Sequence, residues 1–303
     1  MNVPQAGLED TIDNLPRVPR ETVVRYSQPR APDRTDKKCV WTLNINNYEP
    51  AITELTYPFL KIYAQKIGAE FRIITERKYP GWPIVYEKLQ LHELGEEYDW
   101  NIYIDSDALI SPEFFDVTAH LTKDIVCHNG KDFAGQRWRM DKYFLRDARW
   151  QSSCNWMTIA SNWCLDLWTP LDMTFEEAKK NIYPTLGERL SGQFHDHHLI
   201  DDYTLSRNIA KFGLHFTTVV EICASFGLKR PDGMGVNPFA FHLYNISVEE
   251  KLKRMIAILA SPHNAVIQDP KSTQAQPLPP WGLGWGCMSP QDAAEFCKKW
   301  GVK

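Results

Sequence analysis

The sequence predicts an α/β fold: a mixed, mostly parallel central sheet flanked by helices, in a single domain. Three observations carry that reading. Strand-like and helix-like stretches alternate from residue 39 to residue 104 as strand, helix, strand, helix, strand, the pattern of a parallel sheet with crossover helices. Two of those strands run directly into polar or acidic residues, Asn46-Asn47 and Asp105-Ser106-Asp107. Parallel sheets place their ligands beyond the carboxyl ends of their strands, so both stretches fall on the rim where function is expected.

The first strand is Cys39-Val-Trp-Thr-Leu-Asn-Ile45, with Asn46-Asn47 as a turn at its end. From Pro50 to Ala69, helical spacing puts Ile52, Leu55, Phe59, Ile62, Tyr63 and Ile67 on one face, with Pro50 suited to a first turn and Pro58 a candidate kink. Glu70 to Thr75 reads as a second strand. Ile84 to Glu97 reads as a helix, with Tyr86, Leu89, Leu91 and Leu94 facing inward. Trp100 to Ile104 is the third strand.

Beyond it the pattern loosens. Strands are expected at Asp124–Cys127, Ser152–Ala160 and Leu214–Val220, and helices at Asn162–Trp168, Glu176–Asn181, Asp196–Phe212, Ser247–Leu259 and Asp292–Trp300. Gly213 stops the third of these helices, and Ser247 caps the fourth. Phe239 to Tyr244 is a short apolar segment carrying His242. Residues 1–37 are polar and aperiodic and read as an extended or disordered N-terminal arm. The folded domain is placed at 38–260, and 261–303 reads as a C-terminal tail able to cover the site.

Composition narrows the function classes. A chain of 303 residues with net charge −4 gives no support to a general nucleic-acid or membrane-surface role. No apolar run is long enough to span a bilayer. The cysteines are odd in number, scattered and without a Cys-x-x-Cys pair, which speaks against zinc and disulfides and for a reducing, cytoplasmic setting.

The chemistry concentrates at Asp105-Ser106-Asp107. Asp-Ser-Asp is good turn chemistry. Here, though, the acids stand between the apolar strand Trp100–Ile104 and the apolar Ala108-Leu109-Ile110. Two neighbouring carboxylates in an apolar frame need a cation or donors to offset the cost of burial and mutual repulsion. A hard divalent cation that keeps positions open for substrate phosphates suits the pair.

The stretch 99–110 resembles the Asp-x-Asp signature of the GT-A glycosyltransferases, whose Rossmann-like sheet binds a nucleotide. The resemblance implies that Asp105 and Asp107 hold Mn²⁺ or Mg²⁺ against the diphosphate of a nucleotide sugar. Asp107 would ligate directly, and Asp105 would reach the ribose or the metal through water. Lys88 resembles a basic position in the helix that precedes this signature in many members, the alternative being a solvated helix face. His198-Leu-Ile-Asp201-Asp202-Tyr-Thr-Leu205 resembles the acidic-pair helix of the retaining members. Asp201 falls on the acid that hydrogen-bonds the donor sugar, and Asp202 on the carboxylate that stabilises its anomeric centre. An Asp in place of the usual Glu shortens that reach. His242 is similar to the C-terminal histidine that completes the metal site in several retaining families; the alternative is a hydrogen-bonded core histidine.

Asn46 and Ser106 sit on the same rim as candidate nucleotide-sugar contacts. Asn155 and Trp156 follow the signature, although Ser152-Ser-Cys departs from the Asn-Ser-Gly-like strand start of the family. Lys229 and Arg230, before Pro231-Asp-Gly, are candidate pyrophosphate contacts. His195-Asp-His-His198 lacks helical metal-ligand spacing and is assigned no metal. The expected partners are a nucleotide sugar, UDP-linked, and a hydroxyl-bearing acceptor. One rival is a glycosyltransferase acting on hydroxylated DNA bases, for which the basic, aromatic stretch Gly130–Trp150 speaks and the net charge does not. Others are a nucleotidyltransferase, which would want a Gly-rich basic loop where Asn46-Asn47-Tyr48-Glu49 stands, and a non-catalytic nucleotide-sugar-binding module.

Overall fold

The computed structural model describes residues 35–131, 153–181, 200–228, 235–243, 246–260, 266–267, 276–277 and 288–302. In chain order these carry β1 (Lys38–Leu43), α1 (Pro50–Lys66), β2 (Ala69–Ile74), β3 (Trp100–Ile104), β4 (Ala108–Ile110), β5 (Ile125–Lys131), β6 (Ser153–Ser161), α2 (Phe175–Asn181), α3 (Ile200–Phe212), β7 (His215–Thr218), α4 (Val219–Ser225), β8 (Ala240–His242), α5 (Val248–Ala260) and α6 (Pro290–Trp300). The main sheet has six strands in the order β2-β1-β3-β6-β5-β7. β1 pairs with β2 and β5 with β7 in parallel, while β5 and β6 are antiparallel, so the sheet is mixed as expected. β1 and β3 are buried along their whole length, as a central strand covered on both faces must be.

Contacts within the chain gather into two compact units. One comprises Met1–Lys37, Glu76–Ile102 and Val117–Val219, the other Lys38–Thr75, Tyr103–Asp116 and Val220–Lys303.

In the second unit, α1 runs unbroken through Pro58. Ile52, Leu55, Tyr63 and Ile67 are buried as their spacing requires, while Ile62 is exposed. The face of α1 formed by Ala51, Ile52 and Leu55 packs with Leu109 of β4, with Leu252, Met255, Ile256 and Leu259 of α5, and with Phe296 of α6. α6 begins with a capping box in which Ser289 and Asp292 each bond the other's backbone N–H, and it ends at Gly301 with φ 66°. β4 pairs antiparallel with β8 in a separate two-stranded sheet. The apolar segment around His242 is therefore a strand laid against the residues that follow the acidic pair.

In the first unit, the predicted helix over 84–97 is a correction. The segment winds as a 3-10 turn over Ile84–Gln90, one α turn over Leu91–Leu94 and a further 3-10 turn over Gly95–Glu97. At three residues per turn the buried side differs from that of an α-helix. Tyr86, Leu89 and Leu91 are buried, but so are Glu87 and Lys88, while Leu94 turns outward. Gly95 sits in a close approach: a Cβ there would lie 2.7 Å from Leu165 Cδ2 and 2.9 Å from Asn101 Nδ2, so one of those side chains would have to shift. Asn162–Trp168 is likewise a 3-10 helix, started by the Ser161 hydroxyl, which accepts from the Trp163 N–H. α3 ends before Gly213, whose φ of 66° lies in the left-handed region that glycine tolerates. After β7 the chain turns into α4, a helix the sequence pattern did not reveal.

Among the described residues, no helix is long and apolar enough to cross a membrane. Among the described residues, Cys39, Cys127, Cys154, Cys164, Cys223 and Cys297 form no disulfide with one another.

Candidate metal centre and polar clusters

Asp105, Asp107 and His242 meet in the second unit. Asp105-Ser106-Asp107-Ala108 is a tight turn closed by the Ala108 N–H donating to the Asp105 carbonyl at 3.1 Å. The turn reading of this motif is thus correct, and a turn does not stand against the site reading. The Ser106 carbonyl accepts the Thr56 hydroxyl of α1 at 2.6 Å, which fixes the turn to a buried helix face. The β4–β8 register sets Ala108 opposite His242, so the imidazole stands beside the residue that follows Asp107. His242 Nε2 lies 3.2 Å from Asp107 Oδ1 and 3.8 Å from Asp105 Oδ2.

One ligand atom from each of the three residues can be chosen so that all lie within 4.8 Å of one another. Each carboxylate is also steered by a neighbour. The Tyr103 hydroxyl donates to Asp105 Oδ1 at 2.7 Å, and Lys251 Nζ donates to Asp107 Oδ2 at 2.5 Å. One oxygen of each acid therefore remains on the histidine side. The donor set, two carboxylates and an imidazole, suits a divalent cation such as Mn²⁺, and three protein ligands leave positions for phosphate oxygens. Burial pushes the Asp107 carboxyl up, but the hydrogen bonds and charges of His242 and Lys251 outweigh it and hold the group well below the usual carboxylate range. Asp107 is thus an anion at any physiological pH.

The loop after β1 borders this centre. Asn46, Asn47 and Glu49 adopt φ of 58°, 53° and 44°, and the Asn44 side chain accepts the Tyr48 N–H at 2.7 Å. Asparagine tolerates the left-handed region better than most residues, which is why Asn46-Asn47 can make this turn. Asn46 is exposed. The Tyr48 hydroxyl is pushed up to about 12 by partial burial, then by the charges of Asp107, Glu49 and Asp105. It stays protonated and able to donate.

The first unit holds a different polar group. Lys88 Nζ and Asp201 Oδ2 form a buried ion pair at 2.6 Å, with side chains 2% and 10% exposed. The solvated-face reading of Lys88 is excluded. Asp202, next along α3, accepts the Asn155 N–H at 3.1 Å. Arg207 of α3 pairs with Asp172 at 3.0 Å. Sequence reasoning missed His128 of β5, which is fully buried, with Nδ1 2.9 Å from the Thr158 hydroxyl. Burial, and secondarily the charge of Lys88, push His128 down to about 3 from an ordinary value of 6.5. Its place directly after the apolar run Ile125-Val-Cys127 was the available signal.

A neutral buried histidine makes stability pH-dependent with a definite sign. Between pH 6.5 and about 3 the unfolded chain binds the proton and the folded one does not, so stability falls as pH falls through that window. The slope from this group is at most about 1.4 kcal/mol per pH unit. Urea unfolding of wild type and His128→Gln at pH 7, 6 and 5 should show a shallower loss in the variant. Equal slopes would remove this role for His128.

The predicted site residues thus divide. Asp105, Ser106, Asp107 and His242 come together, with Lys251, Tyr103 and Tyr48 as neighbours that sequence patterning did not single out. Lys88 joins Asp201, and Asn155 joins Asp202. Trp156 is half-buried on β6. Lys229 and Arg230, the cluster His195–His198, Leu199, and residues 132–150 of the basic, aromatic stretch lie outside the described residues.

The sequence matches no known protein-family profile and no curated protein. In three dimensions the chain is similar to a crystal structure described as a glycosyltransferase involved in the glycosylation of the major capsid of PBCV-1. That likeness has 10% identity, covers 72% of this chain and 98% of the other, and has a TM-score of 0.38. At that identity and score it assigns no role to any residue here.

Proposed function

We propose that this protein is a metal-dependent glycosyltransferase that moves a hexose or related sugar from a nucleotide sugar, UDP-linked, to a hydroxyl acceptor. The observation that supports it is the convergence of Asp105, Asp107 and His242, with one oxygen of each acid turned toward the imidazole. A bound Mn²⁺ or Mg²⁺ would supply Lewis-acid neutralisation of the departing diphosphate. Asp105 and Asp107 contribute the anionic ligands, and Tyr103 and Lys251 hold their orientation. Tyr48 offers a hydroxyl donor beside them, while Asn46 and Ser106 are candidate donor contacts on the same turns.

Asp202 is proposed as the carboxylate that stabilises the anomeric centre, in a reaction that retains configuration, and Asp201 as a donor-sugar contact. Lys88, Asn155, Trp156, Lys229 and Arg230 complete the proposed donor contacts. The motif order in the sequence supports these roles. A reducing, cytoplasmic setting is proposed from the scattered, odd-numbered cysteines of the sequence.

A thermal-shift panel tests the reading. UDP-sugars together with Mn²⁺ should raise the melting point by several degrees, and more than either alone, because a ligand of the native state stabilises it by mass action. GDP-, CMP- and ADP-sugars serve as comparison. No shift with any of them, with or without Mn²⁺ or Mg²⁺, would sink the proposal.

A further inference from the structure

Lys251 is out of place by every local rule. It stands in the first turn of α5, where the helix dipole disfavours a cation. It is also 6% exposed, beside Leu252 and Met255, which pack into the core with Ala51, Ile52, Leu55, Leu109 and Phe296. Burying an ammonium there is costly without a counter-charge. Its Nζ reaches Asp107 Oδ2 at 2.5 Å. A residue that violates dipole and burial preferences together is expected where function retains it.

The charge count shows what it does. Asp105 and Asp107 bring two negative charges and Lys251 one positive, so these three side chains as a group carry a net −1. Without Lys251 it would carry −2. A dication is attracted more weakly to the former, and a diphosphate arriving with the metal supplies the missing negative charge. Lys251 also donates to Oδ2 of Asp107, as Tyr103 does to Oδ1 of Asp105, and the other oxygen of each acid faces the histidine.

We propose that Lys251 is a positioning and charge-setting residue that keeps the affinity of the Asp105–Asp107–His242 centre for a bare divalent cation low, so that metal is taken up together with a nucleoside diphosphate. The inference rests on the metal-binding reading of that centre.

The test is a Mn²⁺ titration of the full chain, with free Mn²⁺ counted by electron paramagnetic resonance, with and without UDP. Wild type should bind Mn²⁺ at least about tenfold more tightly with UDP present than without. Lys251→Gln keeps a donor for Oδ2 and removes the charge. It should bind Mn²⁺ alone at least about tenfold more tightly than wild type and gain less from UDP. Lys251→Arg should behave like wild type. Equal or weaker Mn²⁺ binding by a folded Lys251→Gln overturns the inference, as does a wild type indifferent to UDP, a result that needs no variant. If wild type binds Mn²⁺ with UDP but Lys251→Gln does not differ, this inference fails and the metal centre stands. If wild type binds no Mn²⁺ or Mg²⁺ under either condition, both fall together.

Discussion

Asp107→Asn should lower metal-dependent UDP-sugar hydrolysis by at least about a hundredfold while the protein stays folded. Asp107 is held anionic: His242 and Lys251 together outweigh the effect of burial on its carboxyl. If Asp107 ligates the metal as proposed, removing its charge loosens the cation that would neutralise a departing diphosphate, a contribution of several kcal/mol by general precedent, and about 2.7 kcal/mol is already a factor of one hundred. The choice of variant matters. Asp107→Ala would strand the buried Lys251 ammonium, and an uncompensated buried charge costs about 3–5 kcal/mol. Loss of activity could then be loss of fold. Asparagine keeps an oxygen for Lys251 and a similar volume. Turnover should be measured with Mn²⁺ varied over a wide range, beside circular dichroism and a melting curve. Hydrolysis unchanged in a folded Asp107→Asn would remove Asp107 from the centre.

The elements that local pattern governs were legible. β3 and the acids after it stand out because an apolar run ending in two carboxylates has few explanations, and α1 shows its buried face through Ile52, Leu55 and Tyr63. His242 was visible as a histidine on a short apolar segment. The strand pairing that brings it to the acids was not, because the pairing of Ala108 with His242 joins strands far apart in sequence, and no local rule sets that register. Lys251 was hidden by its own helix, where a lysine among Glu249, Glu250 and Lys253 reads as solvated. Only the packing of α5 through Leu252 and Met255 shows that it is enclosed. An α period puts Lys88 between two readings. The 3-10 winding of Ile84–Gln90 is what buries Glu87 and Lys88 together. Glu87 then accepts from Arg77 Nε and from the Lys78 and Tyr79 N–H groups, an arrangement no periodicity announces.

Lys88→Met should destabilise the protein by about 3–5 kcal/mol, the usual cost of removing one member of a buried ion pair. Lys88 and Asp201 meet at 2.6 Å with almost no exposure, so the remaining carboxylate has little water to turn to. The double variant Lys88→Met with Asp201→Leu should recover most of that loss, since replacing both charges by apolar groups of similar volume is often neutral. The cycle also separates two meanings of Asp201. If the pair is purely a strut, turnover should return with stability in the double variant. If Asp201 hydrogen-bonds the donor sugar, as proposed, the double variant should regain its melting point and remain poorly active, with KM for the donor raised. Single and double variants melted side by side, with donor kinetics on each folded protein, decide between these. A Lys88→Met protein as stable as wild type would show that the pair contributes nothing to the fold.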